Sequence, residues 1–216
     1  MSRFIHLIFD LDGTLVDTKA DLAAATNYML QALGLPTLTL SQVEHYIGDG
    51  ARVLVERALG PNQSFLVDQG LAIFLEYYTE HLLVHTRPYE DIKILLEDAQ
   101  AHGRVLSILT NKPEAPTRVI LSGLGVAHYF TAVIGGDTFR VRKPDPQGVI
   151  YLQQLTGLPL EQTLLIGDSR IDVETGRAAG IATCGVTWGF GAEGLVTTPP
   201  EFVASSVKEL RRVIFG

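Results

Sequence analysis

The chain has 216 residues, 46% of them hydrophobic and 19% charged. That is enough apolar content for a packed core, and it excludes a disordered or collagen-like chain. Lys and Arg total 17 against 24 Asp and Glu, a net charge of −7, which disfavours a nucleic-acid partner because phosphate-backbone binders carry a basic surplus. Cys184 is the single cysteine, so an intrachain disulfide and a cysteine zinc cluster are excluded, as suits a reducing compartment.

The apolar stretch from Phe4 to Phe9 is broken by His6 and runs directly into Asp10 and Asp12. It is too short for a signal-peptide core, and the chain holds no run of about 18 apolar residues that would span a membrane. A cytoplasmic protein without a membrane partner is the expectation.

Short runs rich in Val, Ile and Leu recur at Ile5–Phe9, Val105–Leu109, Val133–Ile134 and Thr163–Ile166. They lack polar alternation, as strands covered on both faces do. Helical patterns separate them. In Asp91–His102 the residues Ile92, Leu95, Leu96 and Ala99 share one face, and Gly103 offers a stop. Pro116 suits an early helical position, with Val119, Ile120 and Leu124 on one face before Gly125. This alternation predicts an α/β fold with a doubly wound, Rossmann-like parallel sheet.

Residues 16–85 show only helical patterns. Leu22, Ala25, Met29, Leu30 and Leu33 form one stripe, Ser41 and Glu44 a possible capping box, and Phe74, Tyr77 and Tyr78 belong to a later helix. That block is too long for a simple crossover. It is expected to be a helical domain inserted into an α/β core made of residues 1–15 and 86–216. A cleft between two such domains is a common ligand site.

Chemistry-bearing residues cluster where strands end. In Phe9-Asp10-Leu11-Asp12-Gly13-Thr14-Leu15, extended backbone projects Asp10 and Asp12 to the same side. Parallel sheets bind ligands at that end. Two such carboxylates repel unless one is protonated or a cation joins them, and magnesium, a hard oxygen-seeking ion, is the natural choice. The alternative is a Gly-containing turn with solvated acids. A calcium loop fails, since Leu15 occupies its required glycine position. Thr110 and Asn111 follow the strand ending at Leu109, where they can cradle phosphate oxygens or cap the next helix. Lys143, between Arg142 and Pro144, is either a fixed ammonium for a phosphate or an ordinary surface lysine. Asp168 follows Ile166-Gly167 as a further metal ligand, and Asp172 either orients the lysine or a metal-bound water, or is a first-turn helix acid.

Asp10-Leu11-Asp12-Gly13-Thr14-Leu15, Thr110-Asn111, Lys143-Pro144 and Gly167-Asp168-Ser169 to Asp172 resemble, in order, the four motifs of the haloacid dehalogenase superfamily. The helical insertion resembles that superfamily's cap. The resemblance implies Asp10 as a nucleophile that forms an aspartyl-phosphate, and Asp12 as general acid and then base. It implies Thr110 and Lys143 as phosphoryl ligands, and Mg2+ bound by the Asp10 side chain, the Asp12 backbone carbonyl and Asp168. Asp12 sets the chain apart from the superfamily's dehalogenases. No lysine lies between Lys19 and Lys93, which removes the Schiff-base phosphonate hydrolases. No histidine follows motif one in Lys19-Ala20-Asp21-Leu22-Ala23-Ala24, which argues against the sugar phosphomutases.

Within the superfamily, residues Val16 to Leu22, Ile47-Gly48-Asp49-Gly50-Ala51-Arg52-Val53-Leu54, and His128 to Asp137 resemble the phosphoglycolate phosphatase family. That implies a small phosphorylated metabolite, 2-phosphoglycolate, cleaved to glycolate and phosphate. Gly48 and Gly50 would let backbone approach the ligand and Arg52 pair with its carboxylate; the plainer reading is a turn and a solvated helix residue. Rival functions are hydrolysis of pyrophosphate, nucleotides or sugar phosphates on the same core, or a non-catalytic phosphate-binding regulator. Intact Asp10 and Asp12 speak against the regulator.

Overall fold

The computed structural model describes residues 4–216. Six parallel strands form the central sheet: β1 (His6–Phe9), β4 (Val105–Leu109), β5 (Phe130–Ile134), β6 (Thr163–Gly167), β7 (Ala182–Val186) and β8 (Phe202–Ala204). Their spatial order is β5-β4-β1-β6-β7-β8. The chain winds outward from β1 to β5, then returns to β6 on the other side of β1. Every residue of β1, β6 and β7 is buried, because helices cover both sheet faces. Alternation divides the side chains: Leu7 and Phe9 of β1 join one core with Leu106, Ile108, Leu164 and Ile166. Ile8 joins a second core with Leu109, Leu165 and Val149.

The covering helices of the sheet domain are α5 (Ile92–Ala101), α6 (Glu114–Gly123), α7 (Gln147–Thr156), α8 (Arg170–Ala179) and α10 (Val207–Phe215), with the short α9 (Gly194–Thr197) before β8. In α6 the buried face is Thr117, Ile120 and Leu121. Val119, expected on that face, is 50% exposed. Residue 119 stands one position from Ile120, about 100° away around the helix. Among the described residues, no helix is long and apolar enough to cross a membrane.

Four helices lie between two short strands, β2 (Val16–Asp17) and β3 (Arg87–Pro88): α1 (Lys19–Ala32), α2 (Leu40–Glu44), α3 (Ala51–Leu59) and α4 (Val67–Glu80). Gly70 of α4 lies against Met29 of α1 and Val55 of α3. The capping box is formed by Thr39 and Gln42, not by Ser41 and Glu44: Gln42 N donates to Thr39 Oγ1 (3.3 Å) and Thr39 N donates to Gln42 Oε1 (2.9 Å). Thr39 is the last residue with extended backbone, so Ser41 is already inside the helix. The apolar core is continuous from these helices into one face of the sheet through Leu11, Leu15 and Val16.

The two chain crossings between cap and core are tied together. β2 and β3 pair antiparallel, Asp17 opposite Arg87. One helical turn on, buried Asp21 accepts hydrogen bonds from His85 N (2.9 Å), Thr86 N (2.8 Å) and Thr86 Oγ1 (2.8 Å). A buried carboxylate is tolerated only with donors of this kind. Asp21→Asn turns one acceptor into a donor facing donors. It should lower stability by about 2–3 kcal/mol, read from the urea midpoint at unchanged m-value. A change within about 0.5 kcal/mol would show that this carboxylate does not hold the crossing.

Candidate active site

The parallel register brings three strand ends level. Phe9 lies opposite Ile108 and Ile166, so Asp10, Thr110 and Asp168 emerge side by side at the carboxyl edge, across the point where the winding reverses. Asp10 N donates to Ile166 O (2.9 Å), and Thr110 N donates to Ile134 O (3.0 Å). A turn follows β1, with the N–H groups of Thr14, Leu15 and Val16 converging on Leu11 O. Gly13 stands in it at φ +82°, where a Cβ would strike the Asp168 carboxylate; only glycine fits there.

Asp10 lies at the floor of a cleft between cap and core. Its Oδ1 accepts from Leu11 N (2.7 Å) and lies 3.1 Å from Lys143 Nζ. Its Oδ2 receives no hydrogen bond among the described residues. Lys143 is buried and donates to Asp172 Oδ1 (2.6 Å). The other oxygen of Asp172 accepts from Ser169 N (3.1 Å) and Ser169 Oγ (2.7 Å). Asp172 is thus both the first-turn acid of α8 and the group that steers Lys143.

Asp168 accepts from Thr14 Oγ1 (3.1 Å) and from the backbone N–H groups of Phe190 (2.7 Å) and Gly191 (3.0 Å). The loop around Phe190 therefore closes over the site. Carboxylate oxygens of Asp10, Asp168 and Asp172 all lie within 4.8 Å of one another. Burial pushes Asp10 up to about 6, against the pull of Lys143. Burial also pushes Asp168 up to about 7, with the charges of Asp172 and Asp10 adding to it. Crowded, buried, hard oxygen donors of this kind suit a divalent cation that prefers oxygen ligands.

Asp12 also lines the cleft but belongs to a separate group. Thr18 Oγ1 donates to its Oδ1 (2.7 Å). Lys112 Nζ reaches both of its oxygens (3.1 and 3.0 Å) and donates to Tyr78 Oη of α4 (2.8 Å). Burial alone would pull Lys112 down; the Asp12 charge, Tyr78 and the hydrogen bonds to both together outweigh it, and the ammonium is held above the ordinary lysine range. Neither Lys112 nor Tyr78 stood out in the sequence as a site residue. Thr110 lines the cleft with them.

The cap expectations divide. Gly48 and Gly50 line the cleft, and Gly50, at φ +91°, sits where a Cβ would press on Asn111 O at 3.2 Å. Asn111 was expected to bind phosphate, but its Nδ2 donates to Gly48 O (3.1 Å) and Lys143 O (3.2 Å). Both amide hydrogens are spent on joining the cap turn to the Lys143 loop. Arg52 does not enter the cleft. It is exposed and pairs with Asp68 (2.8 Å) and Glu56 (3.3 Å), because Ala51 and Leu54 take the inner face of α3.

The sequence profile of the haloacid dehalogenase-like hydrolases matches residues 7–186. The chain is 37% identical over 211 residues to a phosphoglycolate phosphatase of Neisseria meningitidis, covering 94% of this chain and 90% of that one. It is 37% identical over 225 residues to a phosphoglycolate phosphatase of Vibrio cholerae, covering 98% of each. The crystal structure of a predicted phosphoglycolate phosphatase from Haemophilus somnus superposes with a TM-score of 0.92 at 31% identity, over 99% of both chains. With its four motifs gathered at one sheet edge beneath a helical insertion, the chain belongs to the haloacid dehalogenase-like hydrolase family.

Proposed function

We propose that this protein is a magnesium-dependent phosphomonoester hydrolase that works through a phosphoryl-Asp10 intermediate, with 2-phosphoglycolate as its substrate. The observation that carries the reading is Asp10 itself. One of its oxygens is fixed by Leu11 N and Lys143, and the other, among the described residues, is left without a hydrogen bond at the floor of the cleft. Relatives at 37% identity that bear the name phosphoglycolate phosphatase support the substrate.

In this reading the free oxygen of Asp10 attacks phosphorus and the bond from phosphorus to the ester oxygen breaks. Asp12 delivers a proton to the departing oxygen. Asp12 then takes a proton from water as that water attacks the phosphoryl-Asp10, and the bond between phosphorus and Asp10 breaks. Lys143, steered by Asp172, and the Thr110 hydroxyl hold the phosphoryl oxygens. Asp10, Asp168 and the Asp12 backbone carbonyl would hold Mg2+, which supplies positive charge against a phosphate facing several carboxylates. Asn111 keeps the cap turn seated on the Lys143 loop, and Asp168 keeps the Phe190 loop closed.

Phosphate release from 2-phosphoglycolate, pyrophosphate, nucleoside monophosphates and sugar phosphates, with magnesium or with EDTA, tests activity and substrate together. The expected result is magnesium-dependent release with the highest kcat/KM for 2-phosphoglycolate. Asp10→Asn should lower it at least about a thousandfold with the protein still folded. Undiminished turnover in Asp10→Asn contradicts the mechanism, and a different leading substrate contradicts the choice of 2-phosphoglycolate.

Metal binding has a readout without turnover. Asp10 and Asp168 are raised to about 6 and about 7 in the folded chain, so both hold protons there at a pH where the unfolded chain has lost them. Their contribution to stability without metal is therefore present near pH 4 and lost as pH rises through 6 to 7. Magnesium must displace those protons, so its stabilisation grows over the same window. Saturating magnesium should raise Tm on the order of 5 °C at pH 8 and by little at pH 5. A shift independent of pH, or none, would remove these two carboxylates as the ligands.

A further inference from the structure

We infer that Lys112 and Tyr78 form the specificity-determining subsite for the carboxylate of the substrate, gripping the leaving group from core and cap together. The inference rests on the phosphatase reading above and adds to it the groups that select the alcohol half of the ester. Lys143 already serves the phosphoryl end, locked between Asp10 and Asp172. A second buried ammonium is costly unless something calls for it. Lys112 is nonetheless buried, and among the described residues it is the one cation lining the cleft.

Its position relative to Asp12 fixes what it can touch. The leaving oxygen has to approach Asp12 to be protonated. In 2-phosphoglycolate the carboxylate carbon is two bonds from that oxygen, so the carboxylate must fall beside whatever flanks Asp12. Two side chains hydrogen-bond the Asp12 carboxylate, Thr18 and Lys112, and Lys112 is the cation of the two. Its Nζ lies 3.0 Å from Asp12 Oδ2. Two of its N–H groups serve the two oxygens of one carboxylate, so one can pass to an incoming anion while the pair with Asp12 persists.

Tyr78 supplies the second donor. Its hydroxyl oxygen accepts from Lys112 Nζ at 2.8 Å, which leaves its own O–H proton to donate, and no acceptor for it is present among the described residues. An ammonium and a phenol arriving from opposite walls match the two oxygens of a carboxylate with charge-assisted hydrogen bonds. Leu22, Ile47, Leu54 and Phe74 give the cap side of the cleft an apolar lining beside Gly48 and Gly50. Those four side chains offer no polar partner to a sugar or a base, which suits a leaving group with little beyond the carboxylate. Tyr78 belongs to α4, so the grip forms only with the cap seated on the core.

The test compares 2-phosphoglycolate with ethyl phosphate, an ester of similar size without a carboxylate, for the native protein, Lys112→Met and Tyr78→Phe. The readout is the ratio of the two kcat/KM values. The native protein should favour 2-phosphoglycolate strongly. Lys112→Met should lower the ratio about 10–100-fold and Tyr78→Phe several-fold, chiefly through KM for 2-phosphoglycolate. If both variants keep the native ratio while losing activity on both esters alike, Lys112 acts only through Asp12 and the subsite is overturned. If the native protein itself shows no preference, the substrate reading fails first, and this subsite with it. Should Lys112→Met not fold, Tyr78→Phe, which removes a single hydroxyl, decides the matter by the same ratio.

Discussion

The architecture turns on a conflict of charge. Four aspartates, at positions 10, 12, 168 and 172, are confined to one sheet edge with two buried lysines between them, Lys112 and Lys143. Fully ionised, four carboxylates and two ammoniums leave two negative charges in a poorly solvated space. Such a group of oxygen donors suits a divalent cation. Burial is the chief pressure that raises Asp10 and Asp168, and neighbouring carboxylates add to it. The surroundings follow from managing it. Thr14, Phe190 and Gly191 surround Asp168 with donors, and Asp172 is saturated by Ser169 and Lys143.

The two lysines divide the site into two halves. Lys143 joins Asp10 to Asp172 beneath the place where the phosphoryl group sits in the proposed reaction. Lys112 joins Asp12 to Tyr78, and so joins the proposed proton carrier to the cap. Asp12 is also bound by Thr18, one residue before α1, and α1 carries the Asp21 that ties the return crossing at Thr86. Acid, hinge and cap therefore share one polar chain. The floor of the site is built by strand ends, the Lys143 loop and the first turn of α8, whereas its roof depends on cap helices and on the Asn111 contact with Gly48.

The sheet and the acidic floor were legible in the sequence because each has a local signal. β1, β4 and β6 are short, mainly apolar runs without regular polar alternation, and Asp10, Thr110 and Asp168 follow their ends directly. The roof had no such signal. Lys112 sits beside Asn111 in a stretch that also reads as a helix-capping turn, and Tyr78 belongs to an aromatic stripe indistinguishable from core. Phe190 and Gly191 act through backbone N–H groups, which carry no side-chain signature. Arg52 misled in the opposite direction: its charge suggested a ligand, while its position on α3 sends it to Asp68. Burial can hide a cation that matters and exposure can display one that does not.

The stereochemical course at phosphorus tests the central proposal most directly. A phosphorothioate monoester, chiral at phosphorus through sulfur and two different oxygen isotopes, would be turned over in water of the third isotope, and the configuration of the released thiophosphate read. Attack by Asp10 followed by attack of water inverts phosphorus twice, so net retention is expected. Net inversion would mean that water attacks the ester directly, and Asp10 would then be a metal ligand without a covalent role.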